Sequence, residues 1–169
     1  MARDLFKRQL ASYAAVHRDR RNKATHFIGV PVIVFSMLLV LTLWRPQLGD
    51  HEVSGALVVA ILTVLGWMAL DLGIGLVMAA VMLVGWHAAE SLAAALGSGV
   101  TWATFLVLFV GGWALQFVGH HYEGKRPALA DNIFQIFIAP MFLVAETMVA
   151  LGQRRDLALL VHQDDVTAR

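Results

Sequence analysis

Long runs of uncharged apolar residues restrict the possible folds of this chain more than any other feature. Phe27–Leu43 contains seventeen residues without a charged side chain, and Val53–Leu70, Leu72–Ala89 and Val100–Gly119 are similar. About 20 apolar residues in a helix span the hydrocarbon core of a bilayer. Only 15% of the 169 residues are charged, whereas about 25% is usual in a soluble domain. The sequence therefore predicts an all-α fold, a polytopic transmembrane helical bundle.

A fifth apolar segment, Ile133–Leu151, is long enough to span but is interrupted by Gln135, Pro140 and Glu146. Proline removes a backbone donor from a helix, and polar or irregular backbone is tolerated at membrane depth only where protein shields it. We expect this segment to be a kinked or re-entrant helix, which gives a bundle of four to five spans.

The N-terminal segment is amphipathic and too polar to span. One helical side carries its apolar and aromatic residues, namely Leu5, Phe6, Leu10, Tyr13, Ala14 and His17. Such a helix either lies in the membrane interface or packs on the bundle. The chain then forms a single membrane-embedded domain over 1–169, with an interfacial helix and turn (1–22), a bundle (23–151) and a polar tail (152–169).

The polar residues 18–22 separate this helix from the first span. Asn22 is predicted to be the N-cap of a helix that begins at Lys23. His17 and His26 are nine positions apart, which would place them on opposite faces of one continuous helix. They can share a site only if the chain turns between them, and a turn is expected here.

The distribution of basic residues predicts the topology. Seven of them precede the first span and indicate a cytoplasmic N-terminus. After four spans the chain returns to that side, where Lys125 and Arg126 agree with the prediction. Arg154 and Arg155 also favour the cytoplasm, which conflicts with a complete fifth span. The formal net charge of +1 gives no indication of nucleic acid binding.

The end of the fourth span combines polar side chains on one helical face, at i, i+3, i+7 and i+10: Trp113, Gln116, His120 and Glu123. Such groups are costly in a membrane unless they are paired, bind a ligand or line a wet cavity. Gly124 and Pro127 then predict the end of the helix. This stretch is predicted to be a helix end that carries chemistry at a membrane surface.

The predicted topology gathers several histidines at the cytoplasmic face, although they are distant in sequence: His17, His26, His120 and His121. Imidazoles with few carboxylates suit a divalent first-row metal such as iron or zinc, and the chain has no cysteine to supply a thiolate. Asn22, Gln116 and Glu123 would orient the imidazoles or occasionally serve as ligands.

The other three histidines fall elsewhere. His51 belongs to the opposite loop and His162 to the polar tail, where both are expected to be solvated. His87 lies near the far end of the third span, and the sequence leaves its role open.

Two segments carry a family resemblance. They are Tyr13…His17…Asn22…His26-x-x-Gly29-x-Pro31 and Gln116-Phe117-x-Gly119-His120…Glu123-Gly124…Pro127-Ala128-Leu129…Asn132. Together they resemble the signatures of the Mpo-type 2-hydroxy fatty acid dioxygenases. The resemblance implies an Fe(II)-dependent membrane enzyme of fatty acid α-oxidation. Such an enzyme cleaves a 2-hydroxy long-chain fatty acid with O₂ to an acid one carbon shorter.

The resemblance implies that the histidines in its motifs bind the metal, and the positions of their neighbours predict roles for further residues. The matching histidines, His17, His26 and His120, would be metal ligands, with His121 as a further candidate and Glu123 as a catalytic candidate. Tyr13, Asn22 and Gln116 would be supporting residues. Basic residues from 18–23, or Lys125 and Arg126, would bind the carboxylate, while the acyl tail enters between apolar helices from the lipid bilayer.

The Ala-, Leu-, Val- and Gly-rich spans favour a bacterial inner membrane over the endoplasmic reticulum.

Three other functions are compatible with a histidine-containing membrane bundle. A di-iron hydroxylase or desaturase needs HxxxH and HxxHH boxes, which the seven histidines of this chain do not form. A b-type haem protein would place two axial histidines on transmembrane faces. A non-enzymatic scaffold or transporter would use its histidines for packing and hydrogen bonding alone.

Overall fold

The computed structural model describes residues 1–124 and 134–161, and in these the fold is all-α, as predicted. The helices in chain order are α1 (Ala2–Ala14), α2 (Arg20–Leu41), α3 (Gly55–Leu70), α4 (Leu72–Leu96), α5 (Ser98–Glu123), α6 (Phe134–Ala150) and α7 (Ala158–Val161). A 3-10 turn, Arg155–Leu157, precedes α7. Between α2 and α3 a small hairpin pairs β1 (Gln47–Leu48) with β2 (His51–Glu52) in antiparallel register.

Three of the described helices, α2, α4 and α5, are long and apolar enough to cross a membrane. Helix α3 is equally apolar but has 16 residues, about 24 Å at 1.5 Å per residue, against a hydrocarbon core of about 30 Å. The number of candidate spans rises to four if α6 and the segment after it, bent by 117°, are counted as one. The prediction of four to five spans thus depends on α3 and α6.

Helices α2 and α5 pack closely because glycines line their contact. A Cβ atom on Gly29 would overlap the side chain of Gln116, and one on Gly119 would overlap Thr25 and lie 2.5 Å from Oδ1 of Asn22. Small residues allow the backbones of two membrane helices to approach each other. This approach places the last turn of α5 directly beside the first two turns of α2.

Helix α1, the first turns of α2 and the C-terminal ends of α3 and α5 lie together, and we call this part of the bundle the histidine end. Helix α6 contacts the histidine end along its whole length, through the pairs Gln135–Gln9, Phe137–Trp67, Phe142–Tyr13 and Glu146–Lys23. Beyond α6, Arg154 binds Asp71 at 2.8 and 3.0 Å. Both ends of α6 are therefore at one end of the bundle, which agrees with a re-entrant helix. The conflict in the charge pattern disappears, since Arg154 need not lie on the opposite side.

Helix α1 buries its apolar face against α6 and α7, with Phe6 and Leu10 completely inaccessible. Of the two predicted placements, the structure therefore shows packing on the bundle. The turn expected between His17 and His26 is present, but the predicted N-cap is wrong. Asp19 is the N-cap of α2, because its carboxylate accepts a hydrogen bond from the N–H of Arg21 at 2.8 Å. Asn22 lies in the first turn of the helix.

Helix α5 ends where the sequence predicts. Gly124 follows Glu123 with a φ of 65°, in the left-handed region that glycine adopts without strain. Pro127, the second part of the predicted stop, lies outside the described residues.

Candidate metal centre

Three separate elements bring three histidines together at the histidine end. His17 follows α1, His26 lies in the second turn of α2, and His120 lies in the last turn of α5. All three side chains are buried, and one ring nitrogen of each lies within 4.8 Å of the others. No second group of this kind occurs in residues 1–124 and 134–161. We call His17, His26 and His120 the histidine cluster.

Hydrogen bonds to backbone carbonyls fix two of the three rings. Nδ1 of His17 is 2.7 Å from the carbonyl oxygen of Tyr13, and Nδ1 of His26 is 2.9 Å from that of Asn22. A carbonyl only accepts, so we assign the proton of each neutral ring to Nδ1, which leaves a lone pair on each Nε2. The two Nε2 atoms are 3.1 Å apart. Two lone pairs at this distance repel each other unless both act on a cation.

His120 completes the cluster from α5. Its ring centroid is 4.9 Å from that of His17 and 5.0 Å from that of His26. Its Nδ1 is buried and has no hydrogen-bond partner among the described residues. A buried polar atom without a partner is unusual in a native structure, and this nitrogen is available as a metal ligand.

Burial keeps the cluster neutral. Burial and, to a smaller extent, the neighbouring imidazole of His26 together lower the pKa of His17 to about 3. His17 is therefore unprotonated at neutral pH, as a metal ligand must be. The ring of Tyr13 stacks on that of His17, with centroids 3.9 Å apart and an interplanar angle of 5°. Burial raises the pKa of Tyr13 above its usual range, so its phenol is also neutral.

Glu123, the last residue of α5, ties that helix to the turn that carries His17. Its carboxylate accepts hydrogen bonds from the backbone N–H of Arg18 at 3.0 and 3.1 Å and from that of Asp19 at 2.8 Å. It also accepts one from Nδ2 of Asn22 at 3.1 Å. A carboxylate at a helix C-terminus is unfavourable for the helix dipole, but here it meets donors at the start of α2. The carboxylate of Glu123 is thus engaged by this turn, and the group of described residues that could hold a metal ion does not include it.

A cavity of about 80 Å³ adjoins the cluster. Its apolar and aromatic lining comes from four elements: Tyr13, Val30, Ile33, Val34, Trp113, Ile136, Ala139 and Pro140. Among the described residues, the other polar groups of the wall, besides the histidines, belong to Tyr13, Gln116 and Gln135. Both glutamines are buried, and Nε2 of Gln116 and Oε1 of Gln135 have no hydrogen-bond partner among the described residues.

A partly buried ion pair lies beside the cluster. Nζ of Lys23 is 2.7 Å from Oε1 of Glu146, and the two side chains are 19% and 12% exposed. Burial and the neighbouring imidazoles lower the pKa of His17 most, and the charge of Lys23 adds a smaller effect in the same direction. Of the basic residues expected to bind a carboxylate, Lys125 and Arg126 lie outside the described residues.

The structure separates three of the remaining histidines from the cluster. His121 is exposed on α5, next to the ring of Tyr122, and does not reach the other three. His51 in the hairpin and His87 on α4 are also exposed, and His162 lies outside the described residues. Sequence analysis did not identify Gln135 as a site residue. The sequence could have indicated it, because a polar amide in an otherwise apolar membrane helix often belongs to a functional site.

Comparisons with known proteins found a matching family and a similar sequence. The sequence model of the family described as 2-hydroxy-palmitic acid dioxygenase Mpo1-like matches residues 4–151. The chain is 33% identical over 167 residues to the 2-hydroxy-palmitic acid dioxygenase MPO1 of Saccharomyces cerevisiae. That alignment covers 95% of this chain and 90% of the yeast protein. No solved structure matches.

Proposed function

The chain belongs to the 2-hydroxy-palmitic acid dioxygenase Mpo1-like family, and we propose that it is an Fe(II)-dependent dioxygenase of fatty acid α-oxidation. Its substrate would be a 2-hydroxy long-chain fatty acid, cleaved with O₂ between C1 and C2 to an acid one carbon shorter. The reaction balances when C1 leaves as CO₂ and one water forms. The substrate then supplies all four electrons that O₂ accepts, and no separate reductant is needed.

The observation that carries this proposal is the approach of two unprotonated Nε2 atoms, those of His17 and His26, to 3.1 Å. Buried next to them is the unpartnered Nδ1 of His120. Three neutral imidazoles of this kind fit a divalent first-row metal, and the family resemblance selects iron. Ferrous iron held by the cluster would supply electrons for O₂ and positive charge toward the substrate oxygens. We leave His121 out of the ligand set because its side chain is exposed.

The surrounding residues prepare the imidazoles for this role. The Nδ1–H bonds to the carbonyls of Tyr13 and Asn22 fix the tautomers and direct both Nε2 atoms to one point. The stacked ring of Tyr13 sets the plane of His17 and covers it. Glu123, through its bonds to the turn, keeps α5 and therefore His120 in register with α2.

The cavity wall suits the polar head and first methylene groups of a fatty acid. Apolar side chains exclude water from the reacting carbons, while Gln116 and Gln135 provide the hydrogen-bonding groups. Lys23, partly buried and held by Glu146, supplies positive charge for the carboxylate. The rest of the acyl chain would lie between α2, α5 and α6 and enter sideways from the bilayer.

We further propose a multi-pass protein of a bacterial inner membrane, with the histidine end at the cytoplasmic face. The basic residues that precede and begin α2 support this orientation, because cytoplasmic segments are enriched in Lys and Arg. They are Arg3, Lys7, Arg8, Arg18, Arg20, Arg21 and Lys23.

The test combines metal content with turnover. The protein is purified without a histidine tag, its iron and zinc are quantified, and ferrous iron, O₂ and 2-hydroxypalmitate are added. We expect stoichiometric iron and the C15 acid, and both should be lost in His120→Ala. His51→Ala is the matched control, since His51 is exposed at the opposite end of the bundle. A folded wild-type protein with neither metal nor product would favour a scaffold or transporter, and a Soret band would indicate haem.

A further inference from the structure

Gln135 presents an unused hydrogen-bond acceptor next to the histidine cluster. It lies in the first turn of α6, is 3% exposed and lines the cavity. With the amide assigned as in the structure, its Nε2 donates to Oε1 of Gln9 on α1 at 2.6 Å. Its Oε1 is buried without a partner among the described residues. The amide is therefore anchored by one end while its acceptor remains unpaired.

The chemistry of this acceptor selects its ligand. A carboxylate has only acceptor atoms and would be repelled by Oε1 of Gln135, whereas a hydroxyl group can donate to it. Nε2 of Gln116, on the other wall of the cavity, is an unpaired buried donor of the kind that a carboxylate accepts. One acceptor and one donor together are the complement of a 2-hydroxy carboxylate.

We propose that Gln135 is the residue that selects 2-hydroxylated fatty acids, by accepting a hydrogen bond from the substrate's 2-hydroxyl group. This inference rests on the proposed function and assigns a residue to its substrate specificity. A site that hydrogen-bonds a hydroxyl group rejects analogues without it, because its polar group then stays unpaired. The shortened product has a carboxylate but no 2-hydroxyl group, so the same contact favours substrate over product.

The experiment compares two ligands that differ only in the substituent at C2. In 2-fluoropalmitate a fluorine of similar size replaces the hydroxyl group and cannot donate. Iron-loaded protein in lipid nanodiscs is kept anaerobic, and each acid displaces bound cis-parinaric acid. We expect the wild type to bind 2-hydroxypalmitate about tenfold more tightly than 2-fluoropalmitate, the effect of one buried hydrogen bond.

Two nearly isosteric variants test the residue itself. Gln135→Met should bring the ratio of the two affinities close to one, while Gln9→Met, which breaks the same α1–α6 hydrogen bond but keeps the acceptor, should preserve it. A ratio that is unchanged in Gln135→Met, or equally reduced in Gln9→Met, would overturn the inference. If Gln135→Met does not fold, the wild-type protein alone decides, because equal affinities for the two acids exclude a hydroxyl contact.

Turnover of 2-hydroxypalmitate by the wild type, measured in parallel, separates the two proposals. Turnover with an unchanged ratio in Gln135→Met refutes the role of Gln135 and leaves the dioxygenase proposal intact. A wild-type protein that neither prefers nor converts 2-hydroxypalmitate refutes both.

Discussion

Replacement of Glu123 by alanine is expected to weaken iron binding although Glu123 is not a ligand. Its carboxylate accepts hydrogen bonds from the N–H groups of Arg18 and Asp19 and from the amide of Asn22. Each bond to a charged acceptor contributes about 1.5–3 kcal/mol. Adding the contributions of these hydrogen bonds overestimates the free energy that the substitution removes. Arg18 is exposed to water, and Asn22 also donates to the carbonyl of Val16.

We therefore expect Glu123→Ala to cost about 2–3 kcal/mol at this turn. If the whole cost falls on the metal-bound state, iron affinity decreases up to about a hundredfold. Glu123→Gln should give an intermediate loss, because its amide oxygen still accepts but carries no charge. Competition with a ferrous chelator measures the affinity, and circular dichroism verifies that the helices persist.

Glu52→Ala is the matched control for this experiment. Glu52 is exposed in the hairpin at the other end of the bundle, 4.0 Å from Arg45, and its removal should leave iron affinity unchanged. If Glu123→Ala binds iron as tightly as the wild type while remaining folded, Glu123 does not position the cluster.

Three further substitutions test the packing and the ligand set. Gly119→Ala places a methyl group against the side chains of α2 and should reduce the free energy of unfolding by about 1–3 kcal/mol. Gly111→Ala is the control, because a Cβ atom there meets nothing within 4 Å, and it should leave the free energy of unfolding unchanged. Thermal unfolding in detergent compares the two variants. Burial opposes ionisation of Asp71, but the hydrogen bonds that its carboxylate accepts from Arg154 and from the N–H of Ile74, together with the charge of Arg154, outweigh burial and lower its pKa. Its contribution to stability is therefore present above the ordinary carboxyl pKa and lost as the pH falls through the lowered value, so Asp71→Asn should unfold with less pH dependence in the acid range. His121→Ala should retain stoichiometric iron, and loss of the metal would return His121 to the ligand set.

The membrane class and the placement of several histidines near one face follow from the sequence because they depend on hydrophobicity and charge along the chain. Uncharged runs such as Phe27–Leu43 leave little alternative to membrane helices, and Gly124 marks a helix end through its own backbone freedom. Charge-based topology assigned His17, His26 and His120 to one face without any distance information. The two motifs around these histidines indicated the family.

The cap of α2 and the direction of α6 required the tertiary structure. Asp19 and Asn22 are both good N-cap residues, and the choice depends on Glu123, more than 100 residues away, which binds Asn22. Helix α6 is apolar enough for a span by composition. It lies across the histidine end because Glu146 and the following Arg154 find their partners there.

The sequence by itself determined that this chain is a helical membrane protein with histidines near one face. Hydrophobicity, charge and helix-stop residues exert their effects locally, so they can be interpreted without knowledge of distant contacts. Only the tertiary structure decided which of those side chains meet. His120 and His121 are adjacent in sequence, yet a rotation of about 100° per helical residue turns one into the cluster and the other to the surface. The position of Gln135 also depends on tertiary structure, because the packing of α6 against α1 brings this residue to the cavity.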